Sequence, residues 1–209
     1  MTRAVSLADG ALLARLAAAA VGARLAGRRV EAVVDGQASE PALPINVLAF
    51  PALVAKAASF VTLERCGLLR GCVGSLEATR PLYRDVLRNA VRAMNDPRLP
   101  PVDTEDWPDL DVKVSVLEPP EPVAATSREE LISALRPGVD GLILTDGRRR
   151  ATFLPAVWDK LPDPHRYVDA LLHKGGWPEG DGWPQGLAAR RYASVEFRDP
   201  APRDGFVVG

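Results

Sequence analysis

Apolar residues recur along the chain at two periods, and the two periods interleave. Over residues 6–25, Leu12, Leu16, Ala19 and Ala20 lie near one helical face while Arg15 and Arg24 tend to the other. That pattern predicts a helix capped by Ser6 and ended at Gly27. Residues 35–48 are polar and proline-rich and read as a loop. Residues 57–63 switch to a period of two, with Phe60 and Thr62 pointing opposite to Val61 and Leu63, as in a strand. Gly67 marks a turn before the run Leu68-Leu69-Arg70-Gly71-Cys72-Val73-Gly74. A second helix begins at Pro81 and runs to about Met94, burying Leu82, Val86, Ala90 and Met94. Asp96-Pro97 ends it, and Leu99-Pro100-Pro101 is an extended connector. Leu110, Val112, Val114 and Val116 then alternate with Asp111, Lys113 and Ser115, which predicts a half-buried strand.

In the second half, Ser127 and Glu130 form a capping box for a helix that stops at Pro137-Gly138. Residues 141–145 and 149–153 flank Asp146-Gly147 and read as a β-hairpin. Residues 155–161 and 165–174 are two further helices, the latter ended by Gly175-Gly176. A Trp/Pro/Gly loop over 177–187, a last strand over 192–197 and a polar tail complete the chain. Helices and strands are interleaved, but several strand links are hairpin-like. The expected class is therefore α+β, a largely antiparallel sheet with packed helices, rather than a doubly wound sheet. With no internal repeat and no linker, residues 1–209 are expected to form one domain.

Composition narrows the function classes. The 209 residues are 47% hydrophobic and 25% charged, as in an ordinary globular protein. The 26 Lys and Arg against 27 Asp and Glu leave a formal charge of -1, which argues against a dedicated nucleic-acid binder. No apolar run approaches the ~18 residues that cross a bilayer. A core of this size needs no metal or disulfide staple. Cys66 and Cys72 are too few for a disulfide framework, so a reduced, cytoplasmic protein is expected. The small apolar residues 16–23 are preceded by Asp9 and Arg15 and suit a first helix better than a signal peptide.

Candidate chemistry concentrates at Arg70-Gly71-Cys72-Val73-Gly74. Glycines let a backbone turn or approach a ligand closely, successive N–H groups can form an anion nest, and a nearby guanidinium favours thiolate over thiol. On that reading Cys72 is a nucleophile, Arg70 holds an anionic or carbonyl-bearing ligand, and Gly71 and Gly74 shape the pocket. The competing reading makes Cys72 a small hydrophobe in a strand and the glycines parts of a bulge. His165 and His173 sit eight apart near one helix, without zinc-like spacing to either cysteine, so no metal site is expected. There is no P-loop and no G-x-G-x-x-G, hence no cofactor expectation. Arg148, Arg149 and Arg150 read as a solvated hairpin tip, and Asp96 and Arg98 as a pair fixing the exit of the second helix or as ligand contacts. Trp158, Trp177 and Trp183 are expected as core anchors.

These motifs carry a resemblance. Leu69-Arg70-Gly71-Cys72-Val73-Gly74 resembles the LRGCIG signature of the AMMECR domain, also called AmmeMemoRadiSam system protein A. The strand ending Phe60-Val61-Thr62-Leu63, the pairs Pro81-Leu82, Asp85-Val86 and Asn89-Ala90, and Asp96-Pro97-Arg98 are similar to further family motifs. So are Ser115-Val116-Leu117, residues 137–144, residues 151–155, Val157-Trp158, and Lys174-Gly175 with Trp183. The resemblance covers residues 8–197 in order. Met94-Asn95, Leu99 and Gly176 depart from the pattern. The resemblance implies two unequal lobes with a cleft lined by the cysteine motif. It further implies either a cysteine-dependent enzyme or a non-catalytic adaptor subunit working with a Memo-like protein and a radical-SAM protein. Nucleic-acid and membrane partners are not expected.

Overall fold

In the computed structural model of the chain, which describes residues 5–30, 47–177 and 183–203, Ser6 starts the first helix as its sequence position suggests. Its Oγ accepts the Asp9 N–H at 3.1 Å, and helix α1 (Leu7–Leu25) follows. The apolar stripe of α1 is wider than the few residues at helical spacing: Leu13, Ala14, Leu16, Ala17, Ala20 and Val21 are all fully buried. A one-turn helix α2 (Pro51–Val54) leads into strand β1 (Ala58–Arg65), which turns back into β2 (Leu68–Gly74). The turn is tight enough to hold Cys66 at φ 50° and Gly67 at φ 78°. Helix α3 (Leu82–Ala93) buries Leu82, Val86 and Ala90 against β1 and β2, and strand β3 (Leu110–Leu117) pairs antiparallel with β1.

The chain divides into two compact units, residues 1–117 with 195–209, and residues 118–194. In the first, a four-stranded sheet runs in the order β2-β1-β3-β8, where β8 is Ser194–Asp199. Helices α1 and α3 cover the face that carries Val61, Leu63, Val112 and Val114. In the second, β4 (Glu121–Val123), β5 (Gly141–Thr145), β6 (Arg150–Phe153) and β7 (Ala188–Tyr192) form an antiparallel sheet in the order β4-β7-β5-β6. Helices α4 (Arg128–Ala134) and α5 (Pro164–Lys174) pack in this unit with Trp158 and Tyr167. Those two rings stack at 3.8 Å, and both donate hydrogen bonds to the Asp140 carbonyl. The expected α+β class with antiparallel sheets and packed helices therefore holds.

Several local expectations change. Strand β3 is covered on both faces, since Asp111 and Ser115 are also buried; Asp111 accepts from the Ala201 N–H and from Arg198. The last strand is two strands: β7 ends at Tyr192 in one sheet and β8 begins at Ser194 in the other. Neither β7, with its Arg190-Arg191 pair, nor the three-residue β4, with Pro122, shows an apolar alternation that would reveal it. The short helix expected over 155–161 is present as a 3-10 helix, Pro155–Asp159. Ser127 caps the helix as the sequence suggests, its Oγ accepting the Glu130 N–H at 3.2 Å, and Glu130 also accepts from the Thr126 N–H and hydroxyl. Residues 35–46 of the expected loop, 178–182 of the Trp/Pro/Gly loop and 204–209 of the tail lie outside the described residues. Among the described residues no helix is long and apolar enough to cross a membrane.

Candidate functional site

The register of the β1–β2 hairpin decides where Cys72 points. Near the turn, Arg65 opposes Leu68 and Glu64 opposes Leu69. Continued unbroken, that register would set Thr62 opposite Gly71 and turn Cys72 to the face of Val61, the helix-packed core. A β-bulge intervenes: Leu63 opposes Gly71, Arg70 is the extra residue, and Thr62 opposes Cys72. One inserted residue flips the rest of the strand, because side chains alternate. The half-buried Cys72 thus shares a sheet face with Thr62, whose hydroxyl donates to its Sγ at 3.4 Å. Thr62 also opposes Lys113 across β3, so Cys72, Thr62 and Lys113 form one row over three strands. The next row is Gly74, Phe60 and Ser115.

The glycines of the segment are required by close approach. A Cβ on Gly71 would stand 1.9 Å from the Ala93 carbonyl oxygen, the end of α3. A Cβ on Gly74 would stand 2.2 Å from the Phe60 ring, which lies across that position. Strand β2 is a sheet edge, and its outward groups at Cys72 are taken up by the loop after α3. The Asp96 carboxylate accepts the Cys72 N–H at 3.1 Å, and Arg98 Nη2 donates to the Cys72 carbonyl at 3.1 Å. Asp96 and Arg98 also pair with each other, through Nε at 2.9 Å and Nη2 at 2.6 Å. Together they occupy the place of a neighbouring strand and blunt the edge. The Arg98 guanidinium, followed by the Cys72 and Arg98 N–H groups, outweighs burial and holds the Asp96 carboxyl well below the usual carboxylate range. Asp96 in turn raises Arg98, with the Cys72 side chain adding to the same direction.

Arg70, as the bulge residue, goes to another place. Its Nη2 donates to Asp106 at 2.7 Å and to the Pro101 carbonyl at 3.3 Å. Burial pushes Asp106 up, but Arg70, the Asp103 N–H and Arg65 outweigh it, and the carboxyl lies below its ordinary value. This cluster lines a recess of about 480 Å³ that also includes Cys66 and Glu105. A second polar anchor fixes the start of β1: the buried Asp85 accepts from the Ser59 N–H and hydroxyl, Ser75, Arg80 and Asn89. His165 and His173 are exposed on α5, and no disulfide joins the cysteines. Among the described residues no group of three His, Cys, Asp or Glu side chains is arranged to hold a metal ion. The nest expected from the segment's own N–H groups loses its central donor, since that of Cys72 is already committed to Asp96.

The AMMECR1 family profile matches residues 14–197. The chain belongs to the AMMECR1 family. A protein of Thermofilum pendens is 33% identical over 97% of this chain and 95% of its own length. A protein of Methanothermobacter thermautotrophicus is 47% identical over 48% of this chain, a match spanning 55% of that relative, about half its length. The crystal structure of the uncharacterized protein PH0010 from Pyrococcus horikoshii superposes with a TM-score of 0.75 at 30% identity, covering 94% of both chains. Within the AMMECR1 domain of this protein, Cys72, Arg70, Gly71 and Gly74 stand out in the sequence, but Thr62, Lys113 and Asp106 do not. The strand period already set Thr62 opposite to Val61 and Leu63; only the bulge, which leaves no clear mark in the sequence, brings it opposite the sulfur.

Proposed function

We propose that the sheet face bearing Cys72, Thr62, Phe60 and Lys113 binds a small anionic or carbonyl-bearing ligand, and that Cys72 acts on it as a nucleophile. The observation that carries this reading is the bulge at Arg70, which turns the sulfur out of the core and under the Thr62 hydroxyl. A hydroxyl donating to sulfur favours the thiolate. The Lys113 ammonium, paired with Glu64 at 2.8 Å, supplies positive charge in the same row for an anionic group. Attack of Sγ on a carbonyl carbon forms the C–S bond, moves the π pair to oxygen, and leaves the thiol proton on that oxygen. The product is a hemithioacetal, and no further reactant is needed. Arg70, Gly71 and Gly74 enter this reading as positioning residues: Arg70 through Asp106, the glycines through close packing. A reduced, cytoplasmic setting suits a protein with two cysteines and no disulfide between them.

The test uses glyoxylate, a small anionic aldehyde, as the probe in a Cys66→Ser background. Glyoxylate is expected to slow iodoacetamide alkylation of Cys72 saturably, and Lys113→Met to weaken that protection about tenfold. Alkylation independent of glyoxylate at all concentrations contradicts the reading.

A second reading, a non-catalytic adaptor for a Memo-like and a radical-SAM partner, is favoured by a different observation. Gly71, Gly74, Asp96 and Arg98 each have a packing or pairing task that needs no ligand. On that reading Cys72→Ser keeps capture of a Memo-like partner at wild-type strength, and loss of capture argues against it.

A further inference from the structure

Charge that balances over the whole chain is separated in space. Arg24, Arg28 and Arg29 at the end of α1 and Arg84, Arg88 and Arg92 on α3 line one open groove of about 930 Å³. All six are exposed. Among the described residues, Arg24, Arg29, Arg88 and Arg92 have no carboxylate partner, in contrast to Arg70 and Arg98. The spacing on α3 is i, i+4, i+8, so three guanidiniums stand in a line about 12 Å long, one per turn. Leu87 and Val91 line the groove beside them, and Arg84 lies over the Tyr83 ring at 5.7 Å with Nε donating to its hydroxyl.

We infer that this groove binds single-stranded nucleic acid. A line of guanidiniums one helical turn apart suits a chain that carries a charge at every nucleotide, and Arg forks pair with phosphate bidentately. A single phosphate leaves most of the line unused. A flat anionic membrane does not enter a recess. An acidic peptide meets the charge but has no flat rings for the exposed guanidinium planes, on which bases stack. The formal charge of -1 hides the site because the remaining surface offsets it. The inference stands apart from the Cys72 reading, since the groove residues are not those of the cysteine face.

Fluorescence anisotropy of the full chain with a fluorescein-labelled 12-nucleotide oligouridine tests it. Saturable binding at 50 mM salt is expected, weakening with salt at a log–log slope of about -3, as four to five neutralised phosphates give on a single strand. The Arg84→Glu, Arg88→Glu, Arg92→Glu triple variant is expected to bind at least 30-fold more weakly, and Arg24→Glu with Arg29→Glu about tenfold more weakly. Arg148→Glu at the hairpin tip leaves binding unchanged. Should the triple variant fail to fold, the Arg24 and Arg29 pair decides the question alone. Absence of binding at 50 mM salt overturns the inference, as does binding that neither set of reversals changes. Equal, groove-dependent binding of a polyglutamate peptide or of phosphatidylserine vesicles overturns the nucleic-acid assignment.

Discussion

The edge of β2 and the groove between α1 and α3 use the same residue type in opposite ways. At the edge, Arg98 clamps Asp96 and the Cys72 carbonyl, and Arg70 clamps Asp106. In the groove, arginines stand exposed along a helix. The difference lies in the carboxylates: Asp96 and Asp106 are buried and must be compensated, whereas among the described residues no carboxylate pairs with Arg24, Arg29, Arg88 or Arg92. Arginine at the edge therefore belongs to the fold, whereas Arg24, Arg29, Arg88 and Arg92 carry the nucleic-acid inference.

That contrast can be broken from either side. The largest effect is expected at Gly71→Ala, where the new methyl meets the main chain of α3, which has no flexible end to yield. A loss of about 3 kcal/mol or more is expected, read by urea unfolding. Asp96→Ala follows at about 2 to 3 kcal/mol at pH 7, since it leaves the Cys72 N–H and Arg98 without their carboxylate. Its pH dependence has a definite sign. The folded carboxyl is held below its unfolded value of about 3.9, so its stabilisation is complete above that pH and fades as pH falls toward the folded value. The gap between wild type and Asp96→Ala should accordingly narrow below about pH 4; a constant gap contradicts the charged clamp. Gly74→Ala is expected to cost less, about 1 to 2 kcal/mol, because the neighbour is the Phe60 ring on a half-buried face rather than main chain. Smallest is Arg88→Ala, whose unfolding midpoint should match wild type within scatter. Arg98→Ala should lower stability measurably, though only by about 1 kcal/mol, because its side chain is 59% exposed and screened by water.

The sequence carried much of this architecture because the relevant patterns are local. The Ser6 cap, the stripe of Leu82, Val86 and Ala90, and the Val112 and Val114 alternation follow from spacing alone, and each is where the spacing put it. What stayed hidden is non-local. The three residues of β4 are a strand only because β7 lies beside them. The covering of Asp111 depends on Arg198 and Ala201, 87 and 90 residues away along the chain. At the site, Cys72 and its glycines stand out by type, yet Thr62 and Lys113 look like ordinary polar positions of two strands until the bulge sets them in one row with the sulfur. The arginines at 84, 88 and 92 lie off the Leu82, Val86 and Ala90 stripe, and their meeting with Arg24 and Arg29 is a tertiary fact.

The orientation of the Cys72 sulfur under the Thr62 hydroxyl carries the functional reading, and its most direct test is the rate of iodoacetamide alkylation of the native Cys66→Ser protein at neutral pH. With Thr62 intact, Cys72 should react in the folded state, and Thr62→Val should slow the reaction several-fold without changing the unfolding midpoint. A sulfur that reacts only after unfolding, or at the same rate with and without the threonine hydroxyl, would contradict it.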